Sequence, residues 1–454
     1  MDSFLKKKVL GFAVTALTVI GASTTSFADV DVPPFYAAVM EMKAEGKLGQ
    51  IVSKEKISTP IEGAEAWRIA YISSDLNDRK TISTGLLIAP VGEAPKDGRP
   101  VISWAHGTTG TAQNCGPPSQ VVNPAAPLNL YFLPNGNAST DYGVPAIETF
   151  IKAGYVVVAT DYQGLGGGGK HQYTVAATNG RDAINAIRAA GDLKEVGAGK
   201  NALIYGWSQG GGTTIAAASS DDYINQTGTA FDGIELVGFV AMAPQDIAAA
   251  APKGEITEAT SAAMLRGLVS SFSSNVFDFT HFAQNMWATQ SAFPEKLKLT
   301  DIFTEDGAKL VDEVMMNKCI HVASDTLNYA VGDKFSAMLK ATPTNTKAWQ
   351  MPCWQVVFPM PSPSPPLSLF IGAQKIPLFP PRLWVNSTVN KSAKWAVTSR
   401  VYNCRASRTI SARLRLQNRC ICLGLLIVSP VNLRLMAVSI NKSEAGPIWF
   451  IRSS

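Results

Sequence analysis

Ser208 is the residue in this 454-residue chain best placed to act as a nucleophile. It lies in Gly206-Trp207-Ser208-Gln209-Gly210-Gly211, after the apolar run Ala202 to Tyr205 and before the small-residue run Gly212 to Ser219. That order predicts strand, sharp turn and helix, the setting of a nucleophile elbow. Gly206 and Gly210, two residues to either side of the serine, permit a strained turn and close approach of helix to strand. A serine hydroxyl attacks poorly at neutral pH. It needs a base, usually histidine, oriented by a carboxylate. It also needs two donors for the oxyanion that forms on the attacked carbonyl.

Those needs fix where the other elements must stand. One donor is expected from the N–H of the residue after the nucleophile, Gln209. The other is expected from the loop after the third strand, the buried run Pro100 to Trp104. That loop reads His106-Gly107-Thr108-Thr109-Gly110. The Thr108 N–H is the choice, with Gly107 and Thr109 beside it, and His106 is read as a structural loop histidine. Trp67 to Ser73 and Thr81 to Ile88 read as antiparallel leading strands. Tyr155 to Ala159 and Leu236 to Met242 read as buried strands, and residues 145–153 and 182–190 as helices. Strands alternating with helices imply an α/β fold, a mostly parallel sheet covered by helices on both faces. Residues 247–345 lack β alternation, and Ser261 to Phe293 is rich in large apolar residues. This predicts a helical cap inserted after Pro244.

The rest of the chain divides as follows. Residues 1–28 read as a secretory signal: Lys6 to Lys8, an apolar core from Val9 to Ile20, and small residues before Asp29. This implies export to a secreted or periplasmic location, and no other stretch is long enough to span a bilayer. Residues 29–246 form the first part of the core, and 346–358 return to it with a strand at Trp354 to Phe358. The Pro-rich run Pro359 to Pro366 opens a basic segment, 359–454. Residues 351–454 hold 13 Lys and Arg against a single acid, Glu444, with no Asp and no His. The six cysteines show no zinc spacing, and their pairing is not deducible. No metal or organic cofactor is implied, and nothing points to nucleic acid. Gly164 to His171 nearly matches a phosphate-binding loop but ends in His where Ser or Thr is required.

Three motifs together carry a resemblance: Trp104-Ala105-His106-Gly107-Thr108-Thr109-Gly110, Asp161-Tyr162-Gln163-Gly164-Leu165-Gly166 and Tyr205 to Gly211. In this order they resemble the secretory lipase family of α/β-hydrolases (lipase-A-like), over residues 35–358. The resemblance implies an α/β-hydrolase fold and ester hydrolysis of lipids through an acyl-enzyme, under a helical cap. The substrate is then a lipid or other ester met at a lipid–water interface. It also implies an acid and a base after the cap, in the order Ser, Asp, His.

Here the chain departs from its family. No Asp or His follows Asp333, and the four histidines are 106, 171, 281 and 321. A fallback acid and base are Asp246 with His321 or His281. The composition break predicts instead that the chain is read out of frame from near Val356. A shifted reading permits Asp at Lys375/Ile376 and a His-Phe pair at Thr409/Ile410, in the family's order. The family's chemistry is then impaired in the chain as written. Two other readings stand beside this: a basic tail for anionic surfaces, and a catalytically inactive hydrolase fold that binds an apolar ligand.

Overall fold

The computed structural model describes residues 33–120, 130–132, 139–141, 143–244, 255–273, 275–332, 334–350, 369–372, 421–425 and 436–440. The expected leader, Asp246 and the strand at Trp354 to Phe358 lie outside them, as do Lys375/Ile376 and Thr409/Ile410. In chain order the first elements are α1 (Pro34–Met40), β1 (Ile51–Ile57), β2 (Ala64–Ser74), β3 (Lys80–Pro90), β4 (Arg99–Ala105) and α2 (Pro117–Gln120). A short ribbon follows, β5 (Leu130–Phe132) with β6 (Ser139–Asp141). Then come α3 (Ile147–Lys152), β7 (Val156–Gln163), α4 (Ala176–Asp192), β8 (Ala198–Trp207), α5 (Gln209–Ala218), α6 (Asp221–Ile224) and β9 (Glu235–Met242).

Eight strands form one mixed sheet in the order β1-β2-β3-β7-β4-β8-β9-β10, where β10 is Leu369–Gly372. The leading strands pair antiparallel through β3–β7, and β7, β4, β8, β9 and β10 run parallel. Alternation explains the two covered faces. Val156 and Val158 point to a layer with Ala183, Ile184 and Ile187 of α4, while Val157 and Ala159 point to a layer with Ile147 and Ile151 of α3. All eight residues of β7 are buried, as a parallel strand between two helical layers requires.

Residues 258–331 form four helices: α7 (Glu258–Phe272), α8 (Val276–Ala292), α9 (Glu305–Asn317) and α10 (Ile320–Val331). Their starts are set by side chains that satisfy first-turn amides: Thr257 accepts from the Thr260 N–H, Asn275 from Asp278 and Thr304 from Gly307. Phe279, Phe282, Met286 and Trp287 of α8 meet Val311 and Met315 of α9 and Leu327 of α10 in a second apolar core. Among the described residues no helix is long and apolar enough to cross a membrane.

The strand expected at Trp354 to Phe358 lies outside the described residues. Residues 346–350 are helical. The strand beside β9 is β10, paired parallel from Leu369–Phe239 to Gly372–Met242, beyond the Pro-rich run. Apolar run length alone does not discriminate Trp354 to Phe358 from Leu367 to Ile371 as the pairing segment. A separate ribbon pairs β11 (Ile421–Leu425) with β12 (Met436–Ile440).

Candidate functional site

Ser208 stands between β8 and α5 with φ 57° and ψ −113°. A non-glycine residue in this region costs about 1–3 kcal/mol and persists only where its surroundings impose it. Here the imposition is visible. The Ser208 N–H donates to the Met242 carbonyl at the end of β9 (3.0 Å), and the Ser208 carbonyl accepts from Gly212, closing the first turn of α5 (3.1 Å). A Cβ on Gly206 would stand 2.2 Å from the Gly210 carbonyl oxygen, and one on Gly210 would stand 1.9 Å from that of Ala105. The G-x-S-x-G spacing is therefore a packing requirement: the helix start presses onto the end of β4. Gln209 opens α5, so helix geometry gives its N–H no intrahelical acceptor.

The loop after β4 lies against this turn. Ala105 pairs with Gly206 across β4–β8, and the His106 carbonyl is 2.8 Å from the Cβ that Gly210 lacks. Thr108 is buried, and its hydroxyl shares a 2.9 Å hydrogen bond with the Tyr173 hydroxyl. The loop is also fixed to the helical region. Cys115 and Cys319 form a disulfide, Gly110 bridges Cys319, and the Ile320 N–H donates to the Thr109 carbonyl (2.9 Å).

Gln209 is held from the side by residues the sequence reading did not assign. Its Nε2 donates to His171 Nε2 (3.2 Å) and to Asn179 Oδ1 of α4 (3.3 Å). The His171 Nδ1–H donates to the Gln163 carbonyl (2.7 Å), which fixes the tautomer. Burial pushes the His171 imidazole down to about 3, against the usual 6.5, so it is a neutral strut. The Gly-rich loop at 164–170 gave the only sequence signal for it. That loop carries no phosphate-binding geometry: Gln113 Oε1 already accepts from the Gly166 and Gly168 N–H groups, at 3.1 and 3.0 Å.

The other histidines occupy different surroundings. His106 is fully buried, its ring nitrogens 2.6 Å from the Gly107 carbonyl and 3.3 Å from that of Asp161, and burial lowers it to about 4. His281 of α8 bonds the Phe277 carbonyl (2.7 Å) and is lowered by burial; its ring lies 6.4 Å from Tyr173. His321 of α10 is exposed and stacks on Phe277 at 5.7 Å. Among the described residues no histidine hydrogen-bonds the Ser208 hydroxyl. Two buried carboxyls lie near the strand ends. Burial raises Asp161 to about 7, although Thr84 and Ser119 donate to it, and raises Asp182 to about 6. Both knit loops together and neither reaches a histidine ring with its carboxylate. No group of three or more metal-ligating side chains occurs among the described residues.

Residues 134–297 match the family model for secretory lipase. Among solved structures, the chain is similar to a single-site variant of the rice cell wall degrading esterase LipA from Xanthomonas oryzae. The identity is 15%, the TM-score is 0.50, and the alignment covers 72% of this chain and 83% of that one. It is also similar to Candida antarctica lipase A, at 14% identity and TM-score 0.44, over 64% of this chain and 60% of that one. A third similar structure is a putative hydrolase from Legionella pneumophila, at 16% identity and TM-score 0.43, over 64% of this chain and 73% of that one. No curated protein sequence matches the chain.

Proposed function

We propose that this chain, a member of the secretory lipase family with an α/β-hydrolase fold, is an exported serine hydrolase that cleaves carboxylic esters of lipids. Ser208 Oγ attacks the ester carbonyl. The Gln209 and Thr108 N–H groups receive the charge that develops on its oxygen, and an acyl-enzyme forms as the alcohol leaves. Export rests on the N-terminal leader together with the family match. The observation that carries the reading is the backbone of Ser208, forced to φ 57° at the C-terminal edge of a parallel strand and the first turn of a helix. The apolar helices α7–α10 supply a surface for an acyl chain.

In the chain as written this chemistry is impaired. His106 and His171 are buried with their ring nitrogens engaged, and residues 351–454 contain no Asp or His to complete the family's order. A hydroxyl without its base keeps only the rate that binding and the oxyanion donors supply. The same histidine placement favours a second reading, an inactive hydrolase fold that binds an apolar ligand. A fluorophosphonate probe with p-nitrophenyl butyrate as substrate separates the two. Labelling that disappears in Ser208→Ala supports the hydrolase. A folded sample that neither labels nor hydrolyses, yet binds a fatty acid, supports the second.

A further inference from the structure

A cleft of about 390 Å³ lies outside the elbow, between the β2–β3 hairpin, the end of β7 and the C-terminal end of α8. Its size is that of a small-molecule site. We propose that this cleft binds a small anionic polyol, with glycerol phosphate, free or as a lipid headgroup, as its chemical type.

Charge selects the anion. Arg79, Lys80 and Lys170 line the cleft against one lining acid, Asp75. Asp75 pairs with Arg79 (2.6 Å), and Lys170 pairs with Asp312 (2.9 Å). Lys80 has only the Gly46 carbonyl as its acceptor, so its charge is not neutralised by any carboxylate among the described residues.

Hydrogen bonding selects the hydroxyls. Thr81 and Gln163 line the cleft, and each carries a buried side-chain oxygen, Thr81 Oγ1 and Gln163 Oε1, with no partner among the described residues. Gln163 is 7% exposed, and its Nε2 is already committed to the Lys170 carbonyl (2.8 Å). An orphaned buried oxygen costs about 1–3 kcal/mol, which a ligand hydroxyl recovers on displacing the side chains that cover these two atoms. Gln172, Gln290 and Ser291 add further amide and hydroxyl groups. Pro294 is the sole apolar residue in the lining and no aromatic ring is part of it, so a planar base has nothing to stack on.

The site is independent of Ser208 chemistry, so the experiment needs no turnover. Glycerol 3-phosphate is titrated into the full chain by calorimetry, with folding checked by circular dichroism. Saturable binding is expected, weakened roughly tenfold in Lys80→Gln and in Thr81→Val. It should be unchanged in Lys54→Gln, a surface cation paired with Glu195 on another face. A second arm mixes the chain with phosphatidylglycerol vesicles. Binding that free glycerol 3-phosphate competes away supports a lipid headgroup as the source. Calorimetric binding without vesicle binding supports a soluble ligand. No saturation in the millimolar range by a folded chain overturns the proposal, as does equal weakening by Lys54→Gln and Lys80→Gln.

Discussion

Ala105 faces Gly206 across the β4–β8 pair, and the next turn of chain leaves no space for a methyl group at Gly206 or Gly210. Two strands along the same sheet, Val237 of β9 is 63% exposed and β10 contributes only four residues. The first region is defined by backbone atoms in contact, the second by a late segment, residues 351–454, whose one acid is Glu444. Presenting a nucleophile needs only contiguous strand, turn and helix. Under the proposed reading its acid and base come from the segment after residue 350, which here holds no Asp and no His.

The largest test of that contrast restores the edge. A chain re-read in the alternative frame from near Val356 should regain Asp and His after the cap. Its hydrolysis of p-nitrophenyl butyrate should exceed that of the present chain by about a thousandfold or more. Equal rates would sink the frame argument. The next concerns packing. Gly210→Ala should lower the urea midpoint by an amount equivalent to about 3 kcal/mol or more, because main-chain atoms block its Cβ. Val237→Thr at the exposed edge should shift it by under about 0.5 kcal/mol. Comparable losses at the two sites would erase the distinction drawn between them.

A smaller effect is expected one residue away from the elbow. His171→Ala removes a buried ring and one of the two acceptors of the Gln209 amide. It should cost about 2–3 kcal/mol of stability. It should also slow fluorophosphonate labelling of Ser208 roughly tenfold, through looser placement of the Gln209 N–H. Unchanged labelling in a folded variant would make His171 a packing residue only.

The smallest effect is in the pH profile of stability. His106 and His171 sit at about 4 and 3 in the folded chain, below their ordinary 6.5. Their contribution is present above pH 6.5 and is lost on acidification. Asp161 and Asp182 sit at about 7 and 6, above their ordinary 3.8. Their contribution is present below pH 3.8 and is lost as pH rises towards 7. Between pH 4 and 6 the two pairs oppose each other and the melting temperature should vary little. Asp161→Asn removes half of one side of the balance, since Asp182 remains. Its unfolding free energy should then fall on acidification, with a slope up to about 1.4 kcal/mol per pH unit, and its melting temperature with it. A flat profile in that variant would show that these groups do not offset one another.

Much of this architecture was legible in the chain because it is local. The run Val156 to Ala159 has the texture of a strand buried on both faces, and the glycines around Ser208 announce a turn that nothing bulkier could make. The long apolar stretch before Phe293 reads as helix for the same reason. What was not legible depends on contacts between distant segments. Cys115 meets Cys319 across 204 residues, and no spacing rule encodes that. His171 could be noticed only as the flawed end of a Gly-rich loop. Its bond to Gln209 appears once α5 is laid beside α4. The pairing of Leu369 to Gly372 with β9 is of the same kind, set by a partner strand rather than by the segment itself.

The cystine between Cys115 and Cys319 limits how the helices of residues 258–331 can shift relative to the loop that carries Thr108. It rivets the first turn of α10 to the loop that carries Thr108, and the Gly110–Cys319 bridge seals the same seam. A shift of those helices as one body would have to tear that seam or drag Thr108 out of place. Any rearrangement that spares Thr108 therefore leaves the start of α10 where it is.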